Sequence, residues 1–166
     1  MITPGYIQNM AAYNRWMNGR IYGACDQLGD EDRRQNCGAF FKSIHATLNH
    51  SFWADQMWMH RLAGTPAPVS EGVSGSVDQY ESYEDLKCEH AQFDQVIEDW
   101  AAAIDCASLE GDLTWYSGVM GREITKRRWL LITHMFNHQT HYRGQVHCML
   151  TGFGIKTADT DLPLMP

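Results

Sequence analysis

The sequence lacks the long apolar runs and the phosphate-binding motifs that mark several large classes of protein. No apolar run within its 166 residues approaches the roughly 18–20 residues that a membrane-spanning helix needs. The opening segment MITPGYIQNM has no basic region followed by an apolar one, which predicts no signal peptide, a cytoplasmic location and no membrane partner. No GxGxxG or P-loop pattern occurs, so neither kind of nucleotide-binding loop is expected.

Basic residues and cysteines are also few. The chain has 13 Lys and Arg against 20 Asp and Glu, and this net charge of −7 would repel a phosphate backbone, so we expect no nucleic-acid partner. The five cysteines are an odd number without a CxxC pair, which predicts reduced thiols rather than a disulfide framework. We expect each of them to be a small buried apolar residue.

Apolar residues recur at steps of three and four along most of the chain, which is the pattern of amphipathic helices. This pattern predicts four long helices, at residues 4–28, 39–63, 78–104 and 126–151. Residues 64–77 predict a loop, and residues 111–125 predict a short irregular or hairpin link before the last helix. Four long helices in a chain of this length predict a single all-α domain, a four-helix bundle over residues 1–166.

Histidine is the informative residue type, because three of the eight histidines share one face of the predicted fourth helix. His134, His138 and His141 follow one another at steps of four and three, which points their side chains in one direction. Imidazole nitrogen is a good ligand for divalent zinc, nickel, iron and copper. A pair of histidines at this spacing is more often on a surface or hydrogen-bonded in a core, but three unpaired imidazoles are costly to bury together.

A further ligand would have to come from another helix. The candidates are His45, His50, His60 and His90. His45 and His60 are weaker, because they sit toward polar or helix-end positions, and the spacing does not choose between His50 and His90. His50 lies on an apolar stripe and His90 lies at a core position, where a hydrogen-bonded core histidine is the alternative. A site with three protein ligands leaves a position open for water or substrate, which is the catalytic form of such a site.

Several segments carry a resemblance to a known family. ITHMFNHQTHYRGQVHCML is a histidine-bearing helix that closes in RGQ, and FFKSIHATLNHSFWADQMWMHRL has the His of LNH followed by a Trp and an Asp. Together with YNRWMNGRIYGACDQL, GREITKRRW and TDLPLMP they cover nearly the whole chain. The sequence resembles the DinB/YfiT-like metalloenzymes. This resemblance implies a homodimeric four-helix bundle in which three histidines hold one divalent metal, with zinc or nickel expected and iron or manganese also compatible.

The resemblance also implies which histidines are ligands. Carried over position by position, His50 and His138 are two of them. Relatives commonly have a third His immediately before RGQ, where this chain has Tyr142, and the residue before that is His141. We therefore predict a metal site of His50, His138 and His141, with His134 as the alternative third ligand.

Four further residues are expected to support the site or to contact a substrate: Asp55, His134, Tyr142 and Gln145. Asp55 lies on an apolar stripe and needs a partner, so it either orients a ligand imidazole or forms an ion pair, with Arg15 or Arg61 as candidates. Tyr142 either donates a hydrogen bond at the metal or packs as a core aromatic.

The function that the resemblance implies is that of a divalent-metal-dependent enzyme acting on a small molecule. The reaction is expected to be thiol-dependent S-transfer, with a low-molecular-weight thiol, or hydrolysis, and no catalytic residue is assigned. The alternative is a non-catalytic dimeric bundle that binds a metal or a small ligand. Metal removal distinguishes these two functions. A protein with a structural metal site should unfold without its ion, whereas a protein with a catalytic site should stay folded and lose only its activity.

Overall fold

A computed structural model describes residues 2–166, and most of these residues are helical. The elements in chain order are α1 (Pro4–Cys25), α2 (Asp30–Arg34), α3 (Ile44–Ala63), α4 (Gly72–Gly75), α5 (Tyr83–Ala103), β1 (Asp112–Ser117), β2 (Arg122–Arg127) and α6 (Arg128–Gly152). Two short 3-10 turns lie at Ala107–Leu109 and Leu162–Leu164. The prediction of a mostly helical fold is confirmed.

Side-chain caps set where the second and third long helices begin. Ser43 accepts a hydrogen bond from the backbone N–H of Ala46 at 3.2 Å, and Ser82 accepts one from Asp85 at 3.1 Å. The predicted starts at residues 39 and 78 are therefore too early. At the other end of α3, Gly64 takes a φ of 72°, the left-handed conformation with which a glycine commonly ends a helix.

Other differences from the predicted elements lie where charge or strand pairing replaces the helical pattern. α1 ends at Cys25 rather than at residue 28. The short α2 is not predicted, because its sequence DEDRR has no apolar face. α6 begins at Arg128 rather than at residue 126, because the residues before it belong to strand β2. The short helix α4 lies within residues 64–77, which were predicted to form a loop.

The link before α6 is a regular antiparallel hairpin of β1 and β2, with Trp115 opposite Ile124. Burial alternates along β1, so that Leu113 and Trp115 turn inward and are partly buried against the apolar core. Trp115 thereby reaches the wall of a cavity that α3 and α6 also line.

The four long helices contact one another in pairs. α3 packs against α5 and α6, and α1 packs against the same two helices. The apolar core forms two clusters, one that includes Ile97 and Phe136 and a second that includes Phe52 and Leu150. Among residues 2–166, no helix combines the length and apolar character that crossing a membrane requires.

All five cysteines are free. Cys25 is buried in the core, but the other four are exposed, so the prediction of five buried cysteines is wrong. The expectation rested on the usual burial of free cysteines and not on their positions in the fold, and the four exposed ones are Cys37, Cys88, Cys106 and Cys148.

A group of polar side chains is buried among the helices. Asn14 and Asn18 of α1 each donate a hydrogen bond of 2.9 Å to Asp94 of α5. Arg143 of α6, from the RGQ motif, donates to the side-chain oxygens of the same two asparagines. Burial raises the pKa of Asp94 to about 6. These hydrogen bonds join α1, α5 and α6, and they are strengthened because all four side chains are buried away from water.

Candidate functional site

A cavity of about 930 Å³ is lined by α3, α6 and the β-hairpin. Four histidines lie in its wall, His50 and His60 from α3 and His134 and His138 from α6. Much of the remaining wall is aromatic and includes Phe41, Trp53, Trp58, Trp115 and Tyr142. An apolar cavity with a few polar groups is the usual form of a small-molecule binding site.

His50 and His138 are brought together because α3 packs against α6. Their ring centroids are 5.3 Å apart. Two imidazoles bound to one tetrahedral zinc ion, with Zn–N distances of about 2.1 Å, have ring centroids about 5 Å apart. The separation of the two rings is thus compatible with a single shared ion.

Ser76 determines which nitrogen of His50 carries the proton. The Ser76 hydroxyl donates to the carbonyl oxygen of Val73 at 2.6 Å, so the same hydroxyl oxygen accepts a hydrogen bond from His50 Nδ1–H at 2.7 Å. Nε2 of His50 is then the nitrogen with the free lone pair. Hydrogen bonds of this kind fix the tautomer of metal-binding histidines and raise their basicity.

Burial keeps both imidazoles neutral. Phe41 lies against His50 with ring centroids 4.1 Å apart, and Trp53 stacks at 5.9 Å. This removal from water lowers the pKa of His50 to about 4. Burial, together with the neighbouring imidazoles, lowers the pKa of His138 to about 3. Both rings are therefore in the form that binds metal ions at neutral pH.

Tyr142 and His134 extend the polar surface around this pair. The ring centroid of Tyr142 lies 4.7 Å from that of His50 and 4.5 Å from that of His138. Burial raises the pKa of the Tyr142 phenol, so this group is protonated at neutral pH and can donate a hydrogen bond. The ring centroid of His134 lies 5.7 Å from that of His138, one helical turn away.

His141 and Gln145 do not line this cavity. His141 is exposed, and its Nε2 lies 2.7 Å from the side-chain nitrogen of Gln145. Gln145 lines a neighbouring cavity of about 590 Å³, together with Cys37 and Cys148. The assignment of His141 as the third ligand stays a prediction.

Asp55 lies among the helices rather than in the cavity wall. Its Oδ1 accepts a hydrogen bond of 3.0 Å from Gln139 Nε2, and its Oδ2 lies 3.4 Å from His90 Nε2. All three side chains are buried. The ion pairs formed within residues 2–166 do not include one between Asp55 and Arg15 or Arg61.

The donor groups fit a divalent ion in part. Nδ1 of His138 is buried and has no hydrogen-bond partner within residues 2–166, and such a ring nitrogen is costly to bury unless something binds it. In the same part of the chain, however, no three His, Cys, Asp or Glu side chains are arranged to hold an ion. The groups that lie closest together at the site are the imidazoles of His50 and His138 and the phenol of Tyr142, and the imidazole of His134 lies one helical turn from His138.

Comparison with known proteins identifies the family. The sequence model of the DinB family matches residues 1–166. The chain belongs to the DinB family. It is also 24% identical over 156 residues to Protein DinB of Bacillus subtilis (strain 168), a match that covers 92% of this chain and 88% of that relative. The DinB resemblance drawn from the sequence motifs is confirmed, and the two histidines that it assigns on different helices, His50 and His138, are the two that meet in the cavity.

Several residues of the cavity, and the hydrogen-bond partner of His50, were not predicted from the sequence. Trp58 and Arg61 lie three residues apart on α3, a spacing that predicts a shared helix face, and Trp115 holds an inward position in a strand of alternating burial. Both patterns are visible in the sequence. Ser76 and Phe41 gave no such signal, because the path of the loops alone brings them to His50.

Proposed function

We propose that this DinB-family protein binds a divalent metal ion through His50 and His138 and acts on a small molecule, by thiol-dependent S-transfer or by hydrolysis. The observation that carries the proposal is the meeting of two neutral imidazoles from different helices in the wall of a 930 Å³ cavity. Zinc and nickel are the first candidates, because both accept imidazole nitrogen readily.

Each neighbouring side chain has a role in this proposal. When bound, a divalent ion lowers the pKa of a water or a thiol and so supplies a nucleophile at neutral pH. Ser76 holds His50 in the tautomer that offers Nε2. Phe41 and Trp53 exclude water from the His50 ring. Tyr142 donates a hydrogen bond to an oxygen or sulfur atom of the bound substrate.

Two histidines compete for the role of third ligand. His134 lines the cavity one turn from His138. His141, which the resemblance to DinB/YfiT-like proteins favours by its place beside Tyr142, would have to leave its contact with Gln145. Single alanine variants at the two positions decide between them, since only the ligand's removal should weaken metal affinity strongly.

Metal analysis tests the proposed site. Protein purified without added metal should carry about one divalent ion per chain. His138→Ala should lose it while circular dichroism remains helical. His147→Ala is the matched control, because His147 lies on the same helix but contacts Thr157 instead of the cavity. Full metal content in His138→Ala would overturn the ligand assignment.

A thiol-transfer screen tests the proposed chemistry. The metal-loaded protein is mixed with glutathione, bacillithiol or mycothiol and with an electrophile such as 1-chloro-2,4-dinitrobenzene, and thioether formation is followed. Acceleration that disappears in His138→Ala supports transfer. A matched assay with small ester or amide substrates tests hydrolysis, and the absence of turnover in both assays by a metal-loaded protein overturns the enzymatic proposal.

A second candidate function is a non-catalytic homodimer of four-helix bundles that holds a metal or a small ligand. It is favoured by Tyr142, which stands where the resemblance to DinB/YfiT-like proteins implies a ligand histidine, and by the lack of a third donor arranged around His50 and His138 within residues 2–166. This candidate predicts tight metal retention without turnover, a melting transition that falls sharply on chelation, and a dimer in analytical ultracentrifugation.

A further inference from the structure

Arg61 stands in the wall of the histidine cavity without an acidic partner. Its guanidinium carbon lies 4.9 Å from the ring centroid of Trp58 and 5.7 Å from that of Trp115. The two indole rings pack edge to face, 5.7 Å apart, and so hold the guanidinium against the wall. None of the ion pairs formed within residues 2–166 involves Arg61.

Among the residues that line the cavity within residues 2–166, only Arg61 carries a permanent charge. Arg61 and four histidines line it, whereas none of the lining residues found in residues 2–166 is Asp or Glu. The whole chain carries a net charge of −7, so a wall without carboxylates is a departure from the rest of the molecule. A half-buried guanidinium that lacks a protein counter-ion is a ready binding group for a carboxylate, which it can grip with two parallel hydrogen bonds.

Trp58 connects this cation to the histidines. Its ring lies edge to face with that of His134, at 5.1 Å between centroids, and His134 in turn lies 5.7 Å from His138. An aromatic molecule that packs along Trp58 would therefore have one end at Arg61 and the other toward the imidazoles. The same wall offers flat apolar surfaces and few other polar groups, which suits a ring better than a sugar or a peptide.

We propose that the cavity takes a small aromatic carboxylate and that Arg61 binds its carboxylate group. This inference rests on the proposed function, because it takes the histidine cavity as the place where the small molecule binds. It adds a substrate class and a binding residue that the metal site alone does not specify.

Calorimetric titration with a charged and a neutral ligand of the same shape tests the proposal. The probes are 2-naphthoate and 2-naphthamide, which differ in charge but hardly in size. We expect the protein to bind naphthoate about tenfold or more tightly than naphthamide, as a charge-assisted hydrogen bond implies. Equal affinities for the two probes, or no binding of either, would overturn the proposal.

Two arginine variants locate the carboxylate. Arg61→Gln should weaken naphthoate binding about tenfold or more and leave naphthamide binding within about twofold. Arg20→Gln is the matched control, because Arg20 also lies over an indole ring, 4.5 Å from Trp16, but outside the cavity. If Arg61→Gln weakened the binding of both probes equally, Arg61 would only shape the cavity wall, and its role in binding the carboxylate would be refuted.

Salt dependence of the unaltered protein gives a second readout that does not depend on the folding of a variant. Added salt should weaken the binding of naphthoate and leave that of naphthamide unchanged, because it screens only the charged pair. Salt-independent binding of naphthoate would contradict the role of Arg61.

Two measurements separate this inference from the metal proposal. Naphthoate should still bind, in an Arg61-dependent way, to His138→Ala and to protein treated with a chelator, and naphthoate binding that vanishes in both would overturn the assignment to Arg61. If the metal proposal is wrong, the wild-type protein will contain no metal. If the carboxylate proposal is wrong, Arg61→Gln will bind naphthoate with unchanged affinity and will still contain its full amount of metal.

Discussion

Replacement of Asp55 by alanine should destabilise the fold without changing the metal content. The Asp55 carboxylate is 1% exposed and accepts a hydrogen bond from Gln139, while His90 lies 3.4 Å from its second oxygen. Leaving a buried donor such as Gln139 Nε2 unsatisfied costs about 1–3 kcal/mol, and His90 loses its neighbouring carboxyl group in the same variant, so we expect a loss of about 3 kcal/mol. In a chain of this size 1 kcal/mol shifts Tm by about 2–4 °C, so Tm should fall by about 6–12 °C.

Urea and thermal denaturation followed by circular dichroism measure this effect. Glu98→Ala is the control, because it removes a carboxylate that pairs with the half-exposed Arg15, and such a pair contributes at most about 1 kcal/mol. Asp55→Asn should lose less stability than Asp55→Ala, since its amide oxygen can still accept from Gln139. An unchanged Tm in Asp55→Ala would refute the structural role of Asp55, and loss of metal at an unchanged Tm would instead place Asp55 at the site.

Four further predictions concern individual side chains. Lys42 has a left-handed φ of 69°, so Lys42→Gly should raise the free energy of unfolding by about 1 kcal/mol, measured by urea denaturation. Ser76→Ala should weaken metal affinity about 10–100-fold in a chelator competition, because it frees the tautomer of His50, and an unchanged affinity would refute that role. Phe41→Ala should raise the pKa of His50 from about 4 toward its ordinary value in an NMR titration, since water then reaches the ring. The pKa of His138 is lowered to about 3, so at pH values between about 3 and the ordinary histidine pKa the unfolded chain binds more protons at His138 than the native protein does. The free energy of unfolding of the metal-free protein should therefore fall as the pH falls through this range. His138→Phe should make this pH dependence weaker, as measured by urea denaturation at several pH values within the range.

The helices were predictable from the sequence because their apolar periodicity is long and regular, whereas their ends were set by local chemistry. Ser43 and Ser82 begin two helices inside the predicted spans, because each has an extended backbone conformation and accepts a hydrogen bond from the first turn, and apolar periodicity reports neither feature. The hairpin was expected because residues 111–125 break the helical pattern, and its pairing then decided where α6 begins.

Within the candidate site, the sequence predicted histidines and Tyr142, which lies in the cavity wall beside His50 and His138. Helical spacing grouped His134 and His138, and the family motif added His50, which no spacing within one helix can relate to them. Ser76 reaches His50 only through the path of the loop after α3, and the hairpin brings Trp115 beside Arg61 of α3. The sequence predicted that Asp55, as a carboxylate on an apolar stripe, needs a polar partner. Its neighbours are Gln139 and His90, both buried between the helices.

The central claim is that His50 and His138 share one divalent ion. Anomalous diffraction from crystals of the zinc-loaded protein, recorded on both sides of the zinc absorption edge, tests this most directly. We predict one anomalous peak per chain, about 2.0–2.1 Å from one ring nitrogen of His50 and from one of His138. A peak elsewhere, such as between Cys37 and Cys148 in the neighbouring cavity, with none between the two imidazoles, would contradict the proposed site.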